Sequence, residues 1–564
     1  MSTSFQAKNN LAARRTAVVG AVFLLFFFLF LKLTVVQIFR YAAINKAVRQ
    51  MVIRENVEMP KRGDILDAKG GIIATSVKQY SLFLDPKIIE NYAFVKERLA
   101  AYGVKLKEKE LEDFGNTAYV QTGFDFDYET YAKIKSEKMR GVGFDAKYVR
   151  QYPEGRLLSH ILGITGRDGQ GLEGIEKAAN SYLAGESVKT VSLRDARGNI
   201  IPETIIDKNR LRGQNVELTI DKNIQFIAEQ ELRKSFAEYK PKKAICIVQN
   251  PKTGAILAMV SLPDFDFSDK INPSLLKNSA ISDVFEPGST FKIVTVAAAL
   301  EENKISLNEN FYLENGKMKI SGHTINDDHK ITGYASLSRA FEQSSNIAMV
   351  KIAGKMDSEL FYGYIRKFGF YALAGIDLPG EAKGLLLEEK KWSALSLPSI
   401  SFGQEIGVSA LQLINAYSAV ANGGVLMKPL IIKNIENMPA DAASYFEPKE
   451  IRRVISKKTA DAMKALLKNA VDKGTGKSAK VPGYETGGKT GTAQKYDAEI
   501  KQYSKKHYLA SFCGMLPASN PEIVVLVILD EPKGGYYASA VAAPVFARIA
   551  KRTAEYLEIP KTAE

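Results

Sequence analysis

The sequence predicts an α/β protein built on a mainly antiparallel sheet, preceded by one transmembrane helix and a mixed α/β module. Three observations predict this plan. An uncharged apolar stretch lies near the N-terminus, a charge-rich segment follows it, and strand-like runs separated by helical segments occupy the rest of the 564 residues. At roughly 150 residues per domain, this length suggests two to four domains.

The apolar stretch near the N-terminus has the length of a membrane span. Residues 16–31 carry no charge, and 14 of these 16 residues are Ala, Val, Leu or Phe. Extended to Val36, the run is roughly 31 Å long as a helix, and the long side chain of Lys32 can reach the interface. A cleaved signal peptide is the alternative, but its apolar core is usually only about 7 to 15 residues long. We expect an uncleaved anchor over residues 16–38.

The charges before this anchor predict its orientation. Lys8, Arg14 and Arg15 are the charged residues among the first 15, and none is acidic. Because an excess of Lys and Arg stays in the cytoplasm, residues 1–15 are expected to be a cytoplasmic tail. The rest of the chain is then expected outside the inner membrane, in the periplasm, behind a single span.

The composition excludes several classes of protein. The chain is 46% apolar and 25% charged, which fits a globular protein and not a disordered one. Its net charge of +14 fits a solvated surface as well as a polyanionic partner. With only two cysteines and four histidines, the chain has no disulfide scaffold and no zinc signature, so we expect no metal cofactor.

The pattern changes near residue 215. Residues 39–215 are mixed and rich in charge, without repeats, and are interpreted as a non-catalytic module. Beyond them, Asp221 is placed to cap a helix, and Pro544 to open a closing helix. Two strands flank the turn at 250–254 as a hairpin. The predicted strands are 243–248, 255–262, 488–494, 508–515 and 523–529.

The first motif with chemistry is Ser289 followed three positions later by Lys292, at the start of an apolar helical run. This spacing puts both side chains on one face of the first helical turn. A serine becomes a nucleophile when a base removes its proton, and a lysine can be that base when burial keeps it neutral. Ser274 and Lys277 repeat the spacing and serve as an internal control, so the motif alone is weak.

Two further motifs follow. Ser344 and Asn346 lie two positions apart in the predicted helical stretch 337–353. Lys489, Thr490, Gly491 and Thr492 lie in a glycine-flanked strand, where glycine lets another backbone approach closely. A second Lys-Thr-Gly, at 252–254, falls in the predicted hairpin turn and is the control for this motif.

Two other patterns do not fit the sites that they suggest. His323 and His329 stand beside Asp327 and Asp328, but their spacing fits no common metal site. The stretch 474–478 is similar to a phosphate-binding loop, but Val471 occupies the position that requires the first glycine.

In order and spacing, the three motifs form the Ser-x-x-Lys, Ser-x-Asn, Lys-Thr-Gly set. With them the chain resembles the class B penicillin-binding proteins, and within that family the division-specific type. The resemblance runs from the anchor to the C-terminus. It includes 281–289 before the nucleophile, Tyr536-Tyr537 with 543–546, and three segments typical of the pedestal at 62–67, 150–153 and 174–176. Ala68 departs from the family pattern, which has Arg there, and Ser345 replaces the Asp of a Ser-Asp-Asn form.

The resemblance implies a penicillin-binding, serine β-lactamase-like transpeptidase fold, with a five-stranded, mainly antiparallel sheet flanked by helices. It implies a pedestal (dimerisation-type) domain over 39–215 and a transpeptidase domain over 216–564. The implied reaction crosslinks peptidoglycan stem peptides ending in D-Ala-D-Ala through a serine acyl-enzyme during septal wall synthesis. β-Lactams would acylate the same serine.

The resemblance also assigns roles to single residues. Ser289 would be the nucleophile, Lys292 the base, Ser344 a proton relay, and Lys489 a source of the electrostatic field. Asn346 would bind the substrate amide, and the strand residues Thr490, Gly491 and Thr492 its terminal carboxylate. The backbone N–H groups of Ser289 and Thr492 would form the oxyanion hole.

No cofactor and no nucleic acid are implied. The expected partners are stem peptides, β-lactams, a membrane glycan polymerase and other division proteins. Three alternatives remain open at this point: an elongation-type class B enzyme, a secreted β-lactamase, and a non-catalytic penicillin-binding sensor or scaffold. The roughly 175 residues between the anchor and the catalytic segment argue against a β-lactamase, which folds as one catalytic domain.

Overall fold

The computed structural model describes residues 3–41, 53–58, 60–106, 119–186, 188–194, 200–201, 212–497 and 502–563. These residues belong to two compact units. The first unit comprises 1–60 with 186–212, and the second comprises 61–185 with 213–564.

The first unit contains the predicted apolar helix. A helix over Thr3–Thr34 continues as a π-helical turn over Val35–Phe39. Its segment Ala13–Phe39 is long and apolar enough to cross a membrane, which fits a single-pass membrane protein. Strand Ile53–Glu58 pairs antiparallel with Val188–Arg194, which pairs in turn with the two-residue strand Ile200–Ile201.

The second unit is organised around a five-stranded sheet that carries the Lys489–Thr492 motif, here called the core sheet. Its five described strands are antiparallel throughout, and their spatial order is Ile256–Leu262, Lys243–Gln249, Ile523–Asp530, Gln502–Leu516 and Gly487–Asp497. These are the five predicted strands, several of them longer than predicted. The fold class expected from the sequence is therefore confirmed.

Helices cover both faces of the core sheet, because alternate strand residues enter two separate apolar cores. Ile245 and Ile247 belong to the core shared with helices Lys292–Glu301 and Ala410–Ala421. Cys246 and Val248 belong to the core shared with helices Lys222–Tyr239 and Ala543–Tyr556. Burial on both faces explains why the central strands read as continuous apolar runs in the sequence.

A second sheet joins the segment before residue 185 to the catalytic part. Strand Ile65–Leu66 pairs parallel with Val216–Leu218. The two strands lie on opposite sides of the domain boundary predicted at residue 215. That boundary remains a prediction. The full order is Ile432–Ile435, Val216–Leu218, Ile65–Leu66, Ile72–Leu84 and Val120–Phe126, with Val142–Gln151 also paired to Ile72–Leu84.

A buried ion-pair cluster holds the three pedestal segments together. The Nε atoms of Arg62 and Arg150 lie 2.5 and 2.6 Å from the two carboxylate oxygens of Glu176. At Ala68, the departure from the family pattern, the contacts are made by the backbone: its N–H donates to the Ile220 carbonyl at 2.8 Å.

The remaining elements surround these sheets. Three small hairpins pair Asn310–Tyr312 with Tyr334–Ser336, Lys317–Ile320 with His323–Asn326, and Val425–Met427 with Glu450–Arg453. The helices of the second unit span Tyr92–Ala100, Tyr128–Ser136, Ser159–Leu162, Gly174–Ala178, Asn180–Leu183, Lys222–Tyr239, Ser279–Ser282, Lys292–Glu301, Leu337–Glu342, Asn346–Ala353, Ser358–Lys367, Ser396–Ser401, Ala410–Ala421, Ala440–Ala443, Lys457–Asp472, Ala538–Val541 and Ala543–Tyr556.

Candidate active site

Ser289 lies on a short 3-10 turn, Gly288–Phe291, that leads directly into helix Lys292–Glu301. The sequence predicts one helix from Ser289 onward, whereas the structure places a 3-10 turn first. In a 3-10 turn, residues three apart lie one above the other, so Ser289 and Lys292 share a face as expected. We call this segment the nucleophile turn.

Three hydrogen bonds fix the nucleophile turn. Thr290 Oγ1 donates to the Pro287 carbonyl at 2.7 Å, and the buried Tyr417 hydroxyl donates to the Thr290 carbonyl at 2.9 Å. The Gly288 N–H donates to the Gly403 carbonyl at 3.0 Å. The two glycine backbones approach so closely that a Cβ at Gly403 would lie 2.1 Å from the Gly288 oxygen.

The second motif sits at a break between two helices. The prediction of one helical stretch over 337–353 is wrong: helix Leu337–Glu342 ends, and helix Asn346–Ala353 begins after three intervening residues. Between them Ser344 has a φ of +59°, which a non-glycine residue adopts only at a cost of about 1 to 3 kcal/mol. Ser345 caps the second helix through its side chain, which favours a new helix start over continuation.

Asp327 holds this second helix start in place. Its Oδ2 accepts a hydrogen bond from Ser345 Oγ at 2.6 Å, and its Oδ1 accepts from the N–H groups of Asn346 and Ile347 at 2.6 and 3.1 Å. Sequence reasoning considered Asp327 only as part of a metal site. Its positioning role has no sequence signal, because its partners lie on a separate helix.

Ser344 is the point where the three motifs meet. The Lys292 Nζ lies 2.6 Å from the Ser344 carbonyl oxygen, 3.2 Å from Ser344 Oγ and 2.7 Å from Asn346 Oδ1. The Lys489 Nζ lies 2.8 Å from the same Ser344 Oγ. The Ser344 hydroxyl therefore bridges the two lysines, and the first of these, Lys292, follows the partly buried Ser289 by three residues.

Burial changes the protonation of both lysines, whose side chains have no exposed surface. Burial lowers the pKa of Lys292 to about 7, although the Asp327 and Asp328 carboxylates oppose the shift. The pKa of Lys489 is lowered well below its usual value by burial and by the neighbouring Lys292. A neutral Lys292 keeps two N–H groups for its acceptors on Ser344 and Asn346, and its lone pair remains available for a hydroxyl proton.

The strand Gly487–Asp497, here called the motif strand, brings the third motif against the nucleophile turn. A Cβ at Gly491 would lie 2.9 Å from the Pro287 oxygen and 2.9 Å from Thr290 Cγ2, so only glycine permits this approach. The Thr492 hydroxyl accepts a hydrogen bond from the Ala538 N–H at 3.1 Å.

Thr475 is a further residue at the site that sequence reasoning missed. Its hydroxyl lies 2.8 Å from the Thr490 hydroxyl, and its N–H donates to the Glu342 carbonyl at 3.1 Å. It lies in the loop 474–478, whose sequence lacks the first glycine of a phosphate-binding loop. This loop therefore contacts both the end of the helix before Ser344 and Thr490 of the third motif. No local sequence pattern predicts these contacts.

The control copies of the motifs lie elsewhere. Ser274 Oγ donates to Asn272 Oδ1 at 3.0 Å, and Lys277 pairs with Asp283 at 2.7 Å on the surface. Lys252 lies in the hairpin turn and pairs with Glu522. The structure thus brings together Lys292, Ser344, Asn346 and Lys489, and leaves both control copies outside.

Two protein-family models match separate segments of this chain. The penicillin-binding protein transpeptidase domain matches residues 244–551, and the penicillin-binding protein dimerisation domain matches residues 57–218. Stage V sporulation protein D of Bacillus subtilis is 34% identical over 504 residues, covering 87% of this chain and 77% of that protein. Peptidoglycan D,D-transpeptidase FtsI of Buchnera aphidicola is 32% identical over 558 residues, covering 95% and 94%.

Solved structures agree with this match. Penicillin-binding protein 3 of Mycobacterium tuberculosis, complexed with aztreonam, superposes with a TM-score of 0.69 at 27% identity, covering 90% of this chain and 98% of that one. The fold and the site thus define a serine transpeptidase of the penicillin-binding fold. The chain belongs to the penicillin-binding protein transpeptidase family, and its dimerisation domain ahead of the catalytic one places it in class B.

Proposed function

We propose that this protein is a peptidoglycan D,D-transpeptidase that crosslinks stem peptides ending in D-Ala-D-Ala during septal wall synthesis in cell division. The observation that carries the proposal is the Ser344 hydroxyl shared by Lys292 and Lys489, next to the turn that holds Ser289. A buried amine with a pKa near 7 beside a serine is what acyl transfer at neutral pH requires.

Acylation begins when Ser289 Oγ attacks the carbonyl between the two D-alanines and gives its proton to the neutral Lys292. The negative oxygen of the tetrahedral intermediate accepts hydrogen bonds from the backbone N–H groups of Ser289 and Thr492. When the intermediate collapses, the proton passes from Lys292 through Ser344 to the amine of the departing D-alanine. The products are free D-alanine and a serine ester.

Transfer repeats these steps in reverse. The amine of a second stem attacks the ester, loses a proton to the site, and forms the crosslink as Ser289 regains its hydrogen. The ester preserves the energy of the original amide, so the reaction needs neither ATP nor a cofactor. A β-lactam acylates Ser289 in the same way, but its ring-opened leaving group stays attached and the ester persists.

The remaining residues bind the substrate. Asn346 holds the substrate amide, and Thr490 and Thr492 hold the terminal carboxylate along the motif strand. Burial and the neighbouring Lys292 lower the pKa of Lys489, and the carboxylate of an incoming substrate supplies the opposite charge that favours protonation of this lysine. Lys489 thereby contributes to binding when the substrate is in place.

The division role is supported by the relatives named FtsI and by the resemblance of residues 281–289 to division-type enzymes. An elongation-type class B enzyme and a non-catalytic penicillin-binding sensor or scaffold are the alternatives.

Incubation with a peptide ending in D-Ala-D-Ala and an amine acceptor is expected to release D-alanine and form a crosslinked product. With penicillin, we expect one covalent adduct per protein and no sustained hydrolysis. Sustained hydrolysis would indicate a β-lactamase, and an adduct without peptide transfer would indicate a sensor.

We further propose a division of labour along the chain. Residues 1–15 are a cytoplasmic tail, 16–38 span the inner membrane, 39–215 are the pedestal and 216–564 form the transpeptidase domain in the periplasm. The apolar helix Ala13–Phe39 and the dimerisation-domain match at 57–218 support this order.

The pedestal is proposed to dock a membrane glycan polymerase, because the chain needs a source of glycan strands. We expect such a polymerase to co-purify with the wild type and to be lost when residues 39–215 are exchanged for those of an elongation-type relative. The exchanged chain must still be labelled by fluorescent penicillin, which shows that its catalytic domain is folded. Unchanged co-purification after the exchange would contradict the proposal.

A further inference from the structure

A pocket of about 670 Å³ lies against the motif strand just beyond Thr492. Ala493, Lys495 and Tyr496 of that strand form one wall. Glu286, three positions before the nucleophile, and Leu385 line the other side. The pocket therefore combines apolar surface with charged groups, and one of its lining residues, Ala493, packs against Gly288 of the nucleophile turn.

The lysines that line this pocket are already paired. Lys243 and Lys277 both bind Asp283, the latter at 2.7 Å. Lys495 binds Asp530 at 2.9 Å. Because these ion pairs neutralise the lysine charges, the lysines do not exclude a cationic ligand from the pocket.

Glu286 is different, because one of its carboxylate oxygens has no partner within the described ranges of the chain. Its Oε1 accepts hydrogen bonds from the Glu405 N–H at 2.9 Å and from the Tyr503 hydroxyl at 3.0 Å. Its Oε2 is buried and has no hydrogen-bond partner in the part of the chain that the structure describes. Burial raises the pKa of Glu286, as expected for a carboxylate without a cationic partner. An N–H donor on a ligand would remove this cost.

The direction of the substrate on the motif strand leads into this pocket. The terminal carboxylate is held at Thr490 and Thr492, and the scissile carbonyl lies at Ser289. The part of the stem that precedes D-Ala-D-Ala must continue past Thr492 toward Ala493. An extended peptide lying along an edge strand places its side chains into pockets of that strand.

The donor stem also carries a positive charge on that upstream part. A stem that acts as donor has the same make-up as the stem that acts as acceptor, and the acceptor attacks with an amine. Because D-Ala-D-Ala is the C-terminal end, the amine lies upstream of the scissile bond. Until it is crosslinked, this amine is an ammonium group.

We propose that Glu286 binds the side-chain ammonium of the donor stem peptide with its carboxylate and is a specificity-determining residue of the transpeptidase. This inference rests on the proposed function and adds the recognition of the donor upstream of its D-alanines. The bond formed is a charge-assisted hydrogen bond between an ammonium and a carboxylate.

The test compares two peptides ending in D-Ala-D-Ala, one with a free side-chain amine and one with the same amine acetylated. The readout is kcat/KM for D-alanine release by the full-length protein. The wild type is expected to favour the free amine by about 10- to 100-fold. Glu286→Gln is expected to lose this preference, because the amide removes the negative charge. Glu405→Gln is the matched control and is expected to keep the preference for the free amine, since Glu405 contacts Glu286 only through its backbone N–H.

Three results would overturn the proposal. The first is a wild type without preference, which needs no variant to observe. The second is a Glu286→Gln protein in which both peptides slow equally, which would indicate a purely structural role. The third is an equal loss of preference in Glu405→Gln, which would indicate a general field effect. Failure of the proposed function looks different: the wild type would then release D-alanine from neither peptide.

Discussion

Replacing Ser289 by alanine is expected to abolish covalent labelling of the protein by a fluorescent penicillin. The acyl-enzyme ester needs the Ser289 oxygen, and the hydroxyl of the other motif serine, Ser344, is already bonded to Lys292 and Lys489. The effect is expected to be complete, because no covalent bond can form without the nucleophile. Labelling measured by gel fluorescence and by the mass of the intact protein gives the result directly.

Ser274→Ala is the matched control, because Ser274 has the same spacing to a lysine as Ser289. Its side chain donates to Asn272 on the surface, so we expect normal labelling of this variant. Loss of labelling in Ser274→Ala with retention in Ser289→Ala would contradict the assignment of the site.

Replacing Lys292 is expected to slow acylation by about 100- to 10,000-fold, the range typical of a lost general base. Two variants separate the base role from the charge. Lys292→Met removes both the amine and the charge, whereas Lys292→Arg keeps a positive charge but cannot lose its proton. Both are expected to be slow if Lys292 is the base, and Lys252→Met, in the hairpin turn on the surface, is the control. A fast Lys292→Arg protein would show that charge alone suffices.

The pH profile of the wild type completes this prediction. The pKa of Lys292 is lowered to about 7 by burial, so the amine is charged below that pH and neutral above it. Only the neutral form can accept the Ser289 proton, and the rate of penicillin acylation is therefore expected to rise with pH through about 7 and then level off. Stopped-flow labelling between pH 5 and pH 9 measures the profile. A rate that falls as the pH rises through 7 would contradict the base role.

Much of the fold could be predicted from the sequence, because its signals are local. The apolar run before residue 40, the strands at 243–262 and the three late strands all show in hydrophobic patterning, and their type and order are confirmed. The motif residues Ser289, Lys292 and Lys489 could be identified because glycines, order and spacing mark them. The roles assigned to the single residues remain predictions, as do the domain boundaries.

The tertiary structure decided the features that depend on contacts between distant segments. The helix break at Ser344 runs against the apolar pattern of 337–353, because Asp327 binds the amides of a second helix start. The contact of Thr475 with Thr490 arises where a loop meets the motif strand.

The sequence by itself determined the class of enzyme. Each of its three motifs, and each apolar periodicity, consists of residues that are close together along the chain. Only the folded chain decided the protonation of Lys292 and left Glu286 Oε2 without a hydrogen-bond partner among the residues that the structure describes. Burial and hydrogen-bond satisfaction depend on everything packed around a group, and those neighbours come from segments far apart along the chain.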